Sequence, residues 1–495
     1  MINKQKKIIL IVSIIALVLT IAYFAVILPL VSAVTEEEPP ELLPGEILGP
    51  NNRILMMEHI ENADLARLEV HNENGGYTFY RYDKENIYLE DMEGTPYDLS
   101  ALSSIIVSAG YTLATERITT DCQDFSEYGL AEADDPAWFV ITTVTGRSHK
   151  IYIGDPLVTG AGYYCKYEGR NAVYVLDPSI SVLLENKNNF ITPLLSYPVS
   201  TSNGGSFDDF YLIRDNEIIV WVDYLTAAEI SSTATAGEYR FKIPAQYETN
   251  PTSMSILLQL FASYYGEEVV LAGKTSKMID EKILLEDYGI NLEKPDYEVH
   301  YSYNGISNYI VFSEQDKEGY MYVYSSFFNF VLKIHISQTQ FIEWDLLDFV
   351  DTPVFRKNIN DVASIRIEGR DVDVTFKLNG EGETILITAS NGDGPYLGDD
   401  LKNFRQFYKS LLSMKIEDYA ENKDVSSLEC IATFTIVTDA GVKSEYKFYP
   451  YSTRRCFYTV NGKGEFYTLR DQVDKIINDA ERIMNGEPVN SDAKE

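Results

Sequence analysis

Hydrophobic and polar positions along this chain fall into short alternating runs punctuated by a few stretches of helical spacing. Strict alternation over four to eight residues marks half-buried strands, and apolar residues three and four apart mark amphipathic helices. Read this way, residues 65–72, 77–82 and 87–90 are strands that lead into a helix opening at Asp98 or Ser100, with Leu99, Leu102, Ile105, Ile106 and Ala109 on its apolar face. Strands 138–145, 150–154, 163–168 and 172–176 follow, and Asp177-Pro178-Ser179 opens another helix with Asp as N-cap and Pro at the first position. Gly146, Gly169 and Asn171 stand where tight turns need permissive residues.

The same order then returns. Strands are predicted at 209–214, 217–224 and 238–243, a helix at 251–265, strands at 297–303, 307–313, 320–325 and 331–335, and a closing helix at about 338–349. A third pass gives strands 365–368, 371–378 and 384–388, a helix at 399–414, strands 431–438, 443–449, 456–460 and 465–468, and a terminal helix at 470–484. Two landmarks fix the period: Tyr128-Gly129-Leu130 recurs as Tyr288-Gly289-Ile290, and Thr192-Pro193-Leu194-Leu195 recurs as Thr352-Pro353-Val354-Phe355, both 160 residues on. A fixed period marks duplicated units. The third copy has no such landmark near Ser426-Leu428, as end units of repeat arrays are often atypical.

The expected fold class is therefore α+β: a tandem repeat of small antiparallel-sheet-plus-helix units, each made of βββα-type half-units and preceded by one transmembrane helix. The expected divisions are 1–34 anchor, 35–60 Pro/Glu-rich spacer, 61–200, 201–358 and 359–486 for three repeat units, the third divergent, and 487–495 for a disordered tail.

The anchor rests on residues 8–28, which carry no charge and as a helix span roughly 31 Å, close to a bilayer's hydrocarbon thickness. Lys4, Lys6 and Lys7 precede it and Glu36, Glu37 and Glu38 follow, so the positive-inside rule puts the N-terminus in the cytoplasm and the rest outside. Val31-Ser32-Ala33 resembles a cleavage site, which makes a cleaved signal peptide the alternative; its apolar region would be shorter, about 7–15 residues. Prolines 39, 40, 44 and 50 suggest an extended spacer over 35–52 that could reach about 55 Å.

Charge narrows the partners. The chain has 41 basic and 75 acidic residues; three basic ones precede the anchor, leaving 38 against 75 outside, a net of −37. Such a surface repels nucleic acid, anionic headgroups and anionic wall polymers. The bilayer through residues 8–28 and integral-membrane transporter components are the expected partners, and nucleic acid is not. Four cysteines would permit disulfides in an exported protein, but Cys430 and Cys456 flank one common neighbouring strand about 9–10 Å apart. Cys165 and Cys456 occupy matching places in their copies and fit small buried slots.

No chemistry-bearing constellation emerges, so no catalytic, cofactor-binding or metal-binding residue is assigned, no cofactor is expected and the protein reads as a non-enzyme. His59, His71, His149, His300 and His335 are scattered without chelating spacing. Asn391-Gly392-Asp393-Gly394 starts like a calcium loop but has Lys402 where the bidentate Glu belongs. Gly273-Lys274-Thr275 ends like a phosphate loop, yet Glu268 replaces the leading Gly, and no strand and helix of suitable spacing are expected around it. Tyrosine is abundant, at 36 residues. Tyr301, Tyr303 and Tyr309, with Tyr320, Tyr322 and Tyr324, fall on alternating strand positions that send each set to one sheet face. Such a face is core beneath a helix, or a sugar-stacking or protein-binding surface where exposed.

Tyr128-Gly129-Leu130, Asp134-Asp135-Pro136 running into a strand, Ile153-Gly154-Asp155, Gly162-Tyr163-Tyr164 and Val173-Tyr174-Val175-Leu176-Asp177 stand in order. Together they resemble the bacterial family called domain of unknown function 4340, over about residues 63–197, less over 206–357 and faintly over 361–485. Family copies often carry a Trp in the third strand, where this chain has Ile87-Tyr88-Leu89. The resemblance implies a single N-terminal anchor, an exported repeat region and the company of ABC-transporter components linked to gliding motility. It implies no activity and no site residue. The expected function is thus a non-catalytic, membrane-anchored extracytoplasmic accessory or scaffold of such an assembly; the alternative is a carbohydrate- or wall-binding module using tyrosine-rich faces.

Overall fold

The computed structural model describes residues 39–83, 86–200, 205–420 and 424–489, with isolated positions 17, 20, 21 and 23. It is mostly β. Ile47–Leu48 (β1) and Ile54–Leu55 (β2) form a short antiparallel pair, and three eight-stranded antiparallel sheets follow. The first is built from Leu65–Asn72 (β3), Gly75–Arg81 (β4), Ile87–Leu89 (β5), Ala114–Thr119 (β6), Ala137–Thr143 (β7), Ser148–Pro156 (β8), Tyr163–Tyr167 (β9) and Val173–Leu176 (β10). Their order across the sheet is β5-β4-β3-β7-β8-β9-β10-β6.

The second sheet contains Asp209–Arg214 (β11), Glu217–Tyr224 (β12), Tyr239–Ile243 (β13), Glu268–Ala272 (β14), Tyr297–Tyr303 (β15), Ile306–Phe312 (β16), Tyr320–Ser325 (β17) and Phe330–His335 (β18). The third contains Val362–Gly369 (β19), Val372–Asn379 (β20), Leu386–Ala389 (β21), Asp418–Tyr419 (β22), Ala432–Thr438 (β23), Lys443–Pro450 (β24), Arg455–Val460 (β25) and Phe466–Leu469 (β26). Both repeat the first order: third, second, first, fifth, sixth, seventh, eighth and fourth strand.

This order overturns the expected α+β tandem of half-units. The first strand of each copy pairs with the fifth, and the fourth crosses to the far edge to pair with the eighth. Each half therefore donates backbone hydrogen bonds to the other, and the indivisible element is one continuous sheet. The fourth strands were not foreseen. They are edge strands: β6 carries charged Glu116 and Arg117, and β22 has only two residues. The transmembrane helix expected in front of the repeats falls on residues 8–28, most of which lie outside the described ones. Among the described residues no helix is long and apolar enough to cross a membrane.

The long helices cover one face of each sheet, and the helix over Glu281–Tyr288 lies on the other face of the second. Leu99–Gly110 (α1) is capped by Asp98, whose carboxylate accepts from the Ser100 and Ala101 amides, and buries Leu102, Ile105, Ile106 and Ala109; Leu99 stays exposed. Ala227–Ser232 (α2) was not expected. Pro251–Phe261 (α3) starts with Pro at the first position after an Asn250 cap. Glu281–Tyr288 (α4) is a further unforeseen helix, and Leu346–Phe349 (α5) is all that is α-helical in the expected 338–349 helix, the rest being two short 3-10 turns. Asp399–Ser413 (α6) and Arg470–Met484 (α7) serve the third sheet. Beneath them lie aromatic cores: Tyr77, Phe79 and Phe190 in the first copy, Phe207, Phe210, Phe261 and Tyr301 in the second, and Phe376, Phe404 and Phe407 in the third.

Two compact units are present, one ending at Ile191 and one beginning at Thr192, the latter holding the second and third sheets. Within the second unit the repeated Thr-Pro segments have a structural role. Leu195 N–H donates to Tyr264 O and Gly266 N–H to Pro193 O; likewise Val354 N–H donates to Met414 O and Ile416 N–H to Thr352 O. Each segment lines up beside the stretch that leads from the long helix into the fourth strand. In the first unit Met56 N–H donates to Thr112 O in the same manner, and Leu55 bridges Leu113. The end of the supposed spacer is thus docked. Upstream, the buried Glu46 carboxylate takes a 2.6 Å ion pair from Arg117 and a 2.7 Å bond from the Tyr174 hydroxyl, and Arg117 also reaches Glu41 O. At the other terminus, Val489 is buried and its amide donates to Asn403, so residues 487–489 pack onto α6; the rest of the expected tail lies outside the described residues.

Candidate functional site

The Tyr-Gly-Leu landmarks are helix stops. In the second copy α4 ends at Tyr288, Gly289 takes a left-handed conformation (φ +67°), and the Ile290 amide reaches back to Leu284 O. Ile290 is then driven into a cluster with Leu284, Val311, Tyr324 and Val331 on the face opposite the long helix. In the first copy a single 3-10 turn, Phe125–Tyr128, ends at Gly129 (φ +63°), and Leu130 plugs an equivalent cluster with Cys122 and Val173. Each stop leaves its tyrosine over a tyrosine of the seventh strand, edge to face: Tyr128 over Tyr164 at 5.0 Å and Tyr288 over Tyr322 at 5.1 Å.

Around the second pair lies a cleft of about 510 Å³, bounded by Leu285, Tyr288, Asn291, Lys294, Asp296, residues 313–316, Tyr320, Tyr322 and Lys333. Lys333 stands opposite Tyr322 in the strand register, with its ammonium 4.3 Å from the Tyr320 ring centroid. Partial burial, with Asp287 and Tyr322 nearby, raises the Tyr288 hydroxyl above the usual phenol value. A second cavity of about 290 Å³, lined by Tyr297, Ile336, Ile342 and Glu343, shares Glu314, Gln315 and Met321 with the first. The loop before α4 is fixed by Asn329, whose amide donates to Lys274 O and Lys277 O while its carbonyl oxygen accepts from Ile279.

The tyrosine sets sort differently from expectation. Tyr301 and Tyr303 lie on the core-side face, with Tyr301 fully buried, whereas Tyr309 pairs with His300 on the opposite face, together with Tyr320, Tyr322 and Tyr324. Tyr324 is buried under α4 and Tyr322 is exposed. On that face Trp221, Tyr211, His300 and Tyr309 are register partners on four adjacent strands. Their rings follow one another at 5.5, 4.2 and 5.5 Å, with Tyr211 and His300 nearly parallel. Tyr211, His300 and Tyr309 turn their faces on one another, and Lys242 lies over the Trp221 ring at 4.8 Å. The first sheet has a shorter version: His71 stacks on Trp138, and Lys150 lies over both Trp138 and Tyr152.

Other candidates are absorbed by structure. Burial, together with Arg147 and Arg170, holds His149 below its usual value, against the pull of Glu58. Its Nδ1 meets the Tyr167 hydroxyl at 2.9 Å and its Nε2 faces Glu58 at 3.5 Å, while Arg170 donates to Met56 O. This Glu58–His149–Tyr167 row was invisible in the sequence because its members are far apart; Glu58 Oε1 and His149 Nε2 make no hydrogen bond, and Arg147 and Arg170 tether residues 56–58. His300 is stacked between tyrosines and pairs with Glu298, and His335 caps a 3-10 turn. Gly273-Lys274-Thr275 sits between β14, which already contains Glu268, and α4, which begins only at Glu281, and the loop presents its carbonyls to Asn329. Asn391 and Asp393 close a turn on each other. Cys165 and Cys456 are fully buried on the seventh strands, and burial raises both thiols, Cys456 to about 11. Among the described residues no three His, Cys, Asp or Glu side chains come together as a metal site.

Neither a curated protein nor a solved structure matches the chain. Residues 88–201 match the family described as Domain of unknown function (DUF4340), a segment running from the third strand of the first sheet through its closing turns. Ile87-Tyr88-Leu89, which lacks the expected Trp, forms that third strand against Phe79, Tyr80 and Arg81. The likeness to that family is carried by this segment of the first copy.

Proposed function

We propose that the protein is a non-catalytic extracytoplasmic scaffold, tethered by its apolar N-terminal segment and serving as an accessory of an ABC-transporter-like assembly of the gliding-motility kind. The observation that supports it is the use of one sheet three times, with Thr-Pro segments docked within the second unit, a repeat architecture of the kind that presents binding surface. The transporter setting comes from the family resemblance. Crosslinking and co-purification of the full-length protein from native membranes, beside a version lacking residues 1–34, tests it. Recovery of a permease or ATPase only with the full-length chain is the expected result. Nothing above background from a well-solubilised sample sinks it.

A second reading is a glycan-binding module. What favours it is the Tyr288–Tyr322 pair at the mouth of an open cleft. Saturable retention of the protein on cell-wall polysaccharide is the expected outcome under that reading, and its absence rejects it.

A further inference from the structure

We infer that the cleft between the end of α4 and strands β16–β18 is a sugar site for an uncharged hexopyranose oligosaccharide, with Tyr288 and Tyr322 as its ring-binding wall. The inference rests on the glycan-binding reading and assigns it a place and a ligand class. Comparison of the two copies carries it. In the first, a Cβ built on Gly129 would lie 2.6 Å from the Asp155 carboxylate, so that side chain fills the space beside the helix stop. Lys166 closes the same region from the other side, donating to Leu130 O at 2.8 Å and lying over Phe125. In the second copy the nearest atom to a Cβ on Gly289 is Ser313 Cβ, 3.8 Å away, and Tyr324 occupies the strand position two beyond the paired tyrosine, where the first copy has Lys166. The same tyrosine pair is kept, and the space beside it is emptied.

The resulting volume, about 510 Å³, falls in the roughly 300–1,000 Å³ range of small-ligand sites. Its wall mixes apolar ring surface with polar groups not used by the fold. The Oδ1 of Asn291 takes the Glu293 and Lys294 amides and that of Asp316 takes the Glu318 and Tyr320 amides, leaving the Asn291 amide N–H groups and the second Asp316 oxygen for a ligand. Gln315 adds a further amide. Lys294 and Lys333 face Asp296, Glu314 and Asp316, so an anion gains no net attraction there, and the −34 charge of the whole chain opposes it further. A hydroxylated ring with one apolar face matches both halves of this wall: the face against Tyr288 or Tyr322, the hydroxyls toward the amides and carboxylate. In the Trp221–Tyr211–His300–Tyr309 row, by contrast, the last three rings stack on one another and Lys242 lies over the Trp221 ring.

The test is calorimetric titration of the full-length protein in detergent with cellobiose, N,N′-diacetylchitobiose and a digalacturonate. Variants are Tyr322→Ala, Tyr322→Phe and, in the closed copy, Tyr164→Phe. Saturable binding of at least one neutral disaccharide is expected, weakened about tenfold or more by Tyr322→Ala, little changed by Tyr322→Phe, and unaffected by Tyr164→Phe. Tyr322 is exposed, so its loss leaves folding intact, and an unchanged melting temperature checks this. No saturation by either neutral sugar, or preference for the digalacturonate, overturns the proposal. Wall-polysaccharide retention that survives Tyr322→Ala refutes the cleft while sparing the glycan reading; loss of all retention by the unmodified protein removes both.

Discussion

Gly129 and Gly289 stop equivalent turns, yet a methyl group added to them meets different surroundings. Both hold left-handed backbone, which costs an L-residue about 1–2 kcal/mol. At Gly289 that is nearly the whole cost, since nothing lies nearer than 3.8 Å. At Gly129 the Asp155 carboxylate and amide are in the way as well. Gly129→Ala is therefore expected to lower the denaturation midpoint clearly more than Gly289→Ala; equal losses by urea titration would contradict the packing described. Glu248 gives a prediction with an uncommon sign. Burial raises its carboxyl above the usual value, more strongly than the Ala236 and Gly237 amides and Arg356 lower it. The folded state thus holds this proton more tightly than the unfolded one, so the destabilising penalty is full above the raised value and is relieved as pH falls through it. Glu248→Gln is expected to remove that contribution, so the variant's stability relative to the parent is greatest near neutrality and shrinks on acidification; a parallel pH dependence of the two would refute the assignment. At this scale the sequence showed Gly129 and Gly289 only as members of repeated landmarks, and it was silent about what faces them, because Asp155 and Ser313 lie at the far end of the sixth strand.

Among elements, the helices with capped starts and the strongly alternating strands were legible: Asp98 and Asn250 cap as their residue types suggest, and β20 and β23 alternate cleanly. The fourth strand was not. Alternation is weak where one edge faces solvent, and a strand of two residues has no period at all. Nor does a strand–helix–strand pattern say on which edge the returning strand lands, so half-units were expected where whole sheets exist. The pairing makes a measurable difference. Residues 39–191, which contain a complete sheet and its docked leader, are expected to fold alone with dispersed amide resonances. Residues 61–135 keep β4 beside β3 but lack β7 and β10, against which β3 and β6 pair, and are expected to stay unfolded. A cooperative thermal transition in the shorter fragment would restore the half-unit as the folding element. Asn329→Ala, which releases the loop ahead of α4, is expected to speed amide exchange at Lys274–Ile279 without touching the core; unchanged protection there would show that Asn329 is dispensable.

For the whole molecule, the repeat was readable because two short landmarks kept a constant offset, while the proposed setting outside the cytoplasm rests on charge asymmetry around residues 8–28. That setting has its own check. A membrane-impermeant amine reagent on intact cells should label the chain's lysines, and labelling only after lysis would place the repeats inside. The docked leader adds something about force. If the N-terminus is held in a membrane while the assembly around it moves, tension reaches the first sheet at Arg117–Glu46 and at the Met56–Thr112 bond. Thr112 leads into β6, an edge strand paired with β10, and Arg117 lies within it. The mechanical fuse is thus the edge of the sheet, and rupture there would pay out the leader and β6 before the aromatic core around Phe79 feels the pull. Arg117→Ala would set that fuse at a lower force, a quantity that single-molecule pulling reads directly.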